Sequence, residues 1–305
     1  MSKTKGMFFK EYFWKWLIAG SGLFIIFLTV GIGAFLIYKG LDTFTLFGHT
    51  LGEFFFSTNF DPAHGLETEQ GTVGAASFIV GSLLTCGLAL AIATPFSLSA
   101  AIFMTEISPK LGNRFLQPAV EIFVGIPSVV YGWTAMIILS PIIANMFSLN
   151  HGRTILTAAL VLSVMIFPTI TSVSSDAIRG VPKMHRDAAY GLGATRWQMI
   201  YQVIVPSATP GVMTGIVLGL ARAFGEALAV AMVIGRSTAF PSGLLSSGHT
   251  LTTVITTYMG EAVEGEELKA ALWSLALLLY LISLLFIFIV HLIAKKGEKT
   301  ANGKD

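Results

Sequence analysis

Six stretches of this chain are apolar for longer than a helix in a soluble core needs, and they limit what it can fold into. They lie at about 14–38, 72–106, 115–147, 154–175, 207–235 and 268–294. Each is long enough to cross the ~30 Å hydrocarbon layer of a bilayer as a helix. In lipid every backbone polar group needs an internal partner, and a helix supplies one for nearly all of them. The expected fold is an all-α polytopic membrane protein with six transmembrane helices. Of 305 residues, 54% are hydrophobic and only 12% charged, against ~25% charged in soluble proteins. The second and third stretches are long and interrupted by proline, which predicts a bent or interfacial piece in each. The chain then divides into a first helix with its outer segment (1–71), a core (72–294) holding a polar island at 176–206, and a tail (295–305).

The distribution of charge orients these helices. One set of connecting segments carries Lys3, Lys5, Lys10, Lys15, Lys110, Arg114, Arg179, Lys183, Arg186, Arg196, Lys295, Lys296, Lys299 and Lys304. The other set has only Lys39, Arg153, Arg236 and Lys269, and is acidic through Asp42, Glu53, Asp61, Glu67, Glu69, Glu261, Glu264, Glu266 and Glu267. Basic segments stay inside, so both termini and the 176–206 island are expected in the cytoplasm of a multi-pass cell-membrane protein. The first apolar stretch is too long for a signal peptide and lacks a small-residue cleavage site, so it reads as a retained helix. On the outside, Asn59 to Pro62 and Gly65 read as turns. Phe54, Phe55, Phe56 and Phe60 read as interfacial aromatics. The stretch 250–259 is either a short helix dipping back into the bundle or a surface loop.

The island has internal structure of its own. Pro182 suits the first position of a short helix running to about Tyr190. Gly191 or Gly193 can supply the left-handed turn that ends it. Thr195 and Gln198 fit a capping box that starts a second helix. Trp197, Ile200, Tyr201 and Ile204 share one face of it, and Pro206 closes it. The island is either a docking knob on the membrane face or an ordinary loop that folds because it is long.

Enzymatic motifs are missing from the sequence. It has no G-x-x-x-x-G-K-[ST] and no H-E-x-x-H, and neither Gly31-Ile32-Gly33 nor Gly191-Leu192-Gly193 extends to a dinucleotide fingerprint. His49, His64, His151, His185, His249 and His291 are scattered without metal-ligand spacing, and the single cysteine, Cys86, lies in an apolar run. No cofactor is called for, and dispersed basic residues argue against nucleic acid. Ionisable residues inside apolar stretches are rare and usually face protein or water, since a charge at mid-helix costs ~2.5–3.5 kcal/mol. Here they are Glu121, Arg222 and Glu226. Arg222 and Glu226 are spaced i, i+4 and can pair as a pathway element or as a packing pair. Glu121 lies only ~9 Å into its helix. Prolines free backbone groups that only protein or water can satisfy, so Gly125 to Ser128, with Pro127, and Phe167 to Thr169 are candidate pathway lining.

Asp187-Ala188-Ala189, three residues, Gly193, nine residues, then Val203, one residue and Val205-Pro206 resembles the EAA loop of ABC-importer permeases, E-A-A-x3-G-x9-I-x-L-P, with Asp for Glu and Val for Ile and Leu. Pro210-Gly211, the run Gly219 to Val230 and Ile126-Pro127-Ser128-Val129-Val130-Tyr131-Gly132 resemble the phosphate-specific Pst branch, more its PstC subunit than its PstA partner. The resemblance covers most of the chain from about Gly71. It implies a type I ABC-importer permease bundle with no catalysis of its own. Asp187, Ala188, Ala189, Gly193, Thr195, Arg196 and Trp197 would seat in a separate ATP-hydrolysing cassette subunit. A second, PstA-like permease would complete the pore, and an extracytoplasmic binding protein would deliver phosphate past Arg222, Glu226, Glu121, Pro127 and Ser128. The alternatives are an ion-coupled secondary carrier, or a permease of this kind for sulfate or molybdate.

Overall fold

The computed structural model describes residues 2–62 and 71–301, with side chains over 13–62 and 71–293. His64, Gly65, Glu67 and Glu69 lie outside the described residues. So do Lys304 and the side chains of Lys3, Lys5, Lys10, Lys295, Lys296 and Lys299. The elements run α1 (Ser2–Gly40), α2 (Asp42–Thr45), α3 (Leu51–Phe56), β1 (Phe60–Asp61), β2 (Thr72–Val73), α4 (Ala76–Ile107), α5 (Pro109–Leu111), α6 (Gln117–Gly125), α7 (Ser128–Phe147), α8 (Ile155–Arg179), α9 (Lys183–Gly191), α10 (Arg196–Gly225), α11 (Leu228–Val233), α12 (Leu251–Tyr258) and α13 (Glu267–Ala301). Among the described residues six helical stretches are long and apolar enough to span a membrane: Phe13–Thr45, which takes in α1 from Phe13 onward and α2, then α4, α7, α8, α10, and Glu267–Ile293 in α13. Among the described residues the departures from all-α are a ribbon in which β1 and β2 pair antiparallel, Phe60 opposite Val73, and an isolated parallel bridge between Gly235 and Gly248.

Helix α8 is the pivot. Two thirds of its apolar window (67%) is buried within the chain, against 6% for α1 and none for α13, so α1 and α13 face outward while α4 and α10 flank α8. Lipid tails are as apolar as leucine side chains, so helices in a bilayer associate by close packing of small residues. Gly211, Gly215 and Gly219 repeat every four residues along α10. A Cβ on Gly211 would stand 2.5 Å from the Ala177 Cβ, and one on Gly219 2.6 Å from Ile170 Cγ1. On α4 the buried set Ser77, Gly81, Thr85, Ala89, Ala93, Ser97, Ala101 has the same spacing. Four residues overshoot a 3.6-residue turn by about 40°, so this stripe winds around α4 and its partner changes with depth. Near the start Ser82 accepts from the Leu251 N–H at 2.9 Å. Farther along, Ser97 donates to the Phe167 carbonyl of α8 at 3.1 Å.

Prolines shape the remaining helices in a regular way. Among the described residues four π-helical turns, Phe103–Ile107, Gly112–Leu116, Ala135–Leu139 and Met199–Ile204, each end two positions before a proline: Pro109, Pro118, Pro141 and Pro206. A proline has no N–H to donate and crowds the carbonyl four residues back; a wider turn beforehand relieves the crowding. This corrects the expectation that Pro206 ends a helix, because α10 runs through it without a break. The fifth span therefore starts at Arg196 and stops at Gly225, not at 235. The third begins at Ser128, since the chain before it breaks at Ile126 and Pro127.

The end of the bundle opposite the 180–195 loop is closed by polar contacts. Lys39 pairs with Glu264 at 2.5 Å, and His49 sits between Glu53 (3.0 Å) and Glu267 (2.8 Å). Burial lowers the His49 pKa, but hydrogen bonds to the two carboxylates outweigh it and hold the ring above its ordinary value. Phe54 is buried and Phe60 half-buried, with Phe60 packed edge-on against the buried Phe78. Both belong to the core, not to a membrane interface as expected from the aromatic run. The 250–259 alternative resolves as a helix: α12 is capped by Thr250 and Thr253 and buries Leu251 to Val254. Beside it burial, with Arg236 adding to it, pushes His249 down to about 4, so its ring is neutral.

Close packing of α10 on α8 makes a direct prediction. Gly211→Val should lower the melting temperature of the purified protein in detergent by the equivalent of about 1–3 kcal/mol. Gly87→Ala, whose Cβ meets nothing within 4 Å, should leave it unchanged or raise it slightly.

Candidate coupling loop and translocation path

The loop folds as its turn residues direct. Pro182 is the extended residue just before α9, one position earlier than expected, which is within the tolerance of helix boundaries. Gly191 ends α9, and Gly193 takes the left-handed turn at φ +80°. A Cβ there would meet nothing within 4 Å, so the demand for glycine is conformational and not steric. Thr195 and Gln198 close the capping box, with the Thr195 N–H donating to Gln198 Oε1 at 2.8 Å.

One expected face of this segment splits in two. Ile200 and Ile204 are buried with Met199 against Ile178, Val181 and Ala189, whereas Trp197 and Tyr201 are each 64% exposed. The π turn Met199–Ile204 widens the helix and shifts which residues face inward. Trp197 and Tyr201 join Met184, Tyr190 and Leu192 as exposed large apolar side chains of the loop. Exposed apolar groups gathered on a polar loop are the usual mark of a docking surface. Asp187 and Ala188 are exposed with them, while Ala189 packs inward.

Two arginines tie the loop to α4. Arg186 Nη2 meets Glu106 Oε1 at 2.6 Å, and its Nε reaches the same oxygen at 3.2 Å. Arg186 also donates to the carbonyls of Val181 (2.6 Å) and Ile178 (3.0 Å). Arg196 donates to the carbonyls of Glu106 and Ile107, the latter at 2.6 Å. Carbonyls at a helix end have no intrahelical donor, and a cation there is favoured. The sequence reading missed Glu106, whose side chain is only 7% exposed, by treating it as the edge of an apolar stretch. A carboxylate at such an edge, with a basic loop on the same side, is the signal that was there to find.

Deeper in the bundle two broken helices meet. Between α6 and α7 the backbone is extended at Ile126 and Pro127; between α10 and α11 it is extended at Glu226. The breaks are side by side, because Gly132 of α7 lies against Ala229 of α11, where a Cβ would come within 2.8 Å of the Ala229 Cα. Freed backbone groups find local partners, as backbone at membrane depth requires. Tyr131 donates its hydroxyl proton to the Phe123 carbonyl (2.9 Å) across the first break. At the second, Thr252 donates to the Glu226 carbonyl (3.1 Å) and the Ala229 N–H donates to the Glu226 carboxylate (3.2 Å).

This geometry separates the expected Arg222–Glu226 pair. Glu226 lies past the end of α10, so the i, i+4 relation no longer sets its position, and its carboxylate caps α11 instead. Among the described residues no ion pair joins the two. Arg222 Nη1 donates to Thr169 Oγ1 at 3.0 Å, one residue beyond the buried Pro168, and its side chain is otherwise open to the surface of this chain. Pro127 is exposed and Ser128 half-buried at the first break. Glu121 is exposed and accepts from Gln117 at 3.2 Å. A hollow of about 550 Å³ between α7 and α8, lined by Ile126, Val130, Tyr131, Ile138 and Val164 among others, has no charged lining and is no place for an oxyanion.

Residues 93–299 match the family described as binding-protein-dependent transport system inner membrane component. The chain belongs to this family. It is therefore a permease subunit of an ABC importer and a multi-pass cell-membrane protein, in a family whose ATPase is a separate subunit. It is 44% identical to the probable ABC transporter permease protein YqgH of Bacillus subtilis, over 93% of this chain and 91% of that one. Phosphate transport system permease proteins PstC of Pasteurella multocida (34%, covering 92% and 91%) and Haemophilus influenzae (32%, covering 95% of each) are similar as well. Among solved structures, an inward-facing MetNI methionine ABC transporter superposes with a TM-score of 0.52 at 20% identity, over 71% of this chain and 93% of that one. That likeness concerns the fold alone.

The loop geometry predicts an order of effects at one glycine. A non-glycine residue held left-handed loses roughly 1–2 kcal/mol, and Asn tolerates that region best. Gly193→Val should weaken copurification of the ATPase subunits and abolish uptake while the protein still inserts. Gly193→Asn should retain most of both. Equal loss in the two variants would mean that the site demands space and not conformation.

Proposed function

We propose that this chain is the PstC-like permease subunit of a phosphate importer. It forms half of the pathway with a second, PstA-like permease, seats the 176–206 loop in ATP-hydrolysing subunits, and receives phosphate from an extracytoplasmic binding protein. On this reading the loop and both termini lie in the cytoplasm, which the distribution of basic residues supports. Two features of the loop support docking: its exposed apolar set and its position at one end of the bundle. ATP-driven closure of the docked subunits rocks the bundles between outward and inward access.

The observation that carries the choice of an oxyanion is the state of Arg222. It stands where two helices break, its partner is the neutral hydroxyl of Thr169, and among the described residues no carboxylate pairs with it. A guanidinium presents a planar fork that matches phosphate oxygens and stays ionised in a low-dielectric site. Glu226, one stretch of backbone away, can accept a hydrogen bond from a protonated phosphate oxygen. Fully ionised sulfate has no such proton and would meet a bare like charge. The similarity to PstC proteins supports the same choice.

Charge-assisted hydrogen bonds contribute about 1.5–3 kcal/mol, so Arg222→Gln should lower uptake about ten-fold or more with the ATPase subunits still bound. Glu226→Gln keeps an oxygen for the Ala229 N–H; it should lose less uptake but admit sulfate as a competitor. Full uptake by Arg222→Gln would remove Arg222 from the pathway. Orientation is checked separately in a background lacking Cys86. An impermeant thiol reagent added outside cells should label a cysteine at Glu264 and not one at Lys183, and the reverse pattern would place the loop on the wrong face for ATP.

A further inference from the structure

Glu106 is a carboxylate at the end of a membrane helix, nearly removed from solvent, with its charge spent on one partner. A buried ion pair adds little stability over apolar packing of the same volume, so stability alone does not account for it. What it does provide is geometry. Arg186 and Arg196 stand on opposite sides of the Gly193 turn, Arg186 in α9 and Arg196 at the start of α10. Both end on the same turn of α4: Arg186 on the Glu106 carboxylate, Arg196 on the Glu106 and Ile107 carbonyls. The two arms of the loop are thus pinned to a single point of the bundle. That point is the π turn Phe103–Ile107, a form of helix that often marks functional positions.

From this turn the contacts continue inward. Ser97, nine residues and about 14 Å back along α4, donates to the Phe167 carbonyl. Phe167 precedes Pro168 and Thr169, and Thr169 holds Arg222. A displacement of the loop therefore has a continuous route to the guanidinium: through Glu106 to α4, through Ser97 to the proline-containing turn of α8, and through Thr169 to Arg222.

We propose that Glu106 is the positioning residue through which movement of the 176–206 loop enters the membrane bundle, with Arg186 as its grip. This rests on the reading that the loop seats in the ATPase subunits. Glu106→Gln keeps the size but loses the charge, and Arg186→Lys keeps the charge but loses the two-point grip.

The test uses the whole complex in proteoliposomes, with ATP hydrolysis and labelled phosphate uptake measured together. Hydrogen exchange of the 103–107 amides is followed with and without ATP. Both variants should retain the ATPase subunits and hydrolyse ATP, while uptake per ATP falls about ten-fold, within the usual range of a coupling energy. The ATP-dependent change in exchange should persist at 176–206 and vanish at 103–107. A merely structural residue would alter exchange with and without ATP alike and leave uptake per ATP in place. Normal uptake per ATP in Glu106→Gln or in Arg186→Lys overturns the proposal. Failure of the wild-type complex to retain ATPase subunits would instead strike the docking reading.

Discussion

Helices in a bilayer gain nothing from leaving one apolar surface for another, so what holds this bundle together is close approach. The glycines of α10 and the small residues of α4 let α8 sit within contact distance of both, and among the six spans α8 has the largest buried share. Dispersion contacts are individually small and fall away steeply with separation, so a single added methyl at Gly211 matters more than a lost leucine on α1. The pathway candidates depend on this arrangement. Thr169 lies on α8 and Arg222 on α10, and their hydrogen bond survives only while the two helices remain at glycine distance.

The second constraint is that backbone polar groups must be satisfied wherever a helix stops inside the membrane. The chain breaks helices at Ile126–Pro127 and at Glu226, and each break is closed by a named donor: Tyr131 for the first, Thr252 and the Ala229 amide for the second. One oxygen of the Glu226 carboxylate is taken up by this duty. That leaves Arg222 paired with a hydroxyl, a weaker partner that an anion can displace. The same economy appears at the loop end, where helix-terminal carbonyls of α4 accept from Arg196 and bring the loop against the bundle. Polar groups that close the fold are also those that would connect the proposed docking surface to the candidate path.

Much of this was legible in the sequence, because some signals are local. Six apolar stretches, the glycine turn at Gly193 and the Thr195–Gln198 capping box each depend on a few neighbouring residues; all are present, with the third and fifth spans starting at Ser128 and Arg196 instead of 115 and 207. The loop spacing of Asp187, Ala188, Ala189 and Gly193 pointed to the family that the chain matches. Signals that depend on what lies across a gap were not legible. An i, i+4 spacing suggests that Arg222 and Glu226 touch only if the helix continues, and nothing nearby announces that it ends at Gly225. Pro206 looks like a terminator until the π turn before it is known. Trp197 and Ile200 share a face only in a regular helix. Phe54 and Phe60 look interfacial until Phe78 is brought against them, and Glu106 looks like a boundary until Arg186 arrives from 80 residues away.

The central claim is that this chain supplies a path that a docked ATPase drives, and one measurement addresses it most directly. Proteoliposomes carrying both permeases and the ATPase subunits are loaded with ATP, given the binding protein and labelled phosphate outside, and challenged with unlabelled phosphate, sulfate or molybdate. The account predicts uptake that requires lumenal ATP and the binding protein, and that yields to phosphate alone among the three competitors. Uptake that persists without ATP or without the ATPase subunits, driven by an ion gradient, would contradict it.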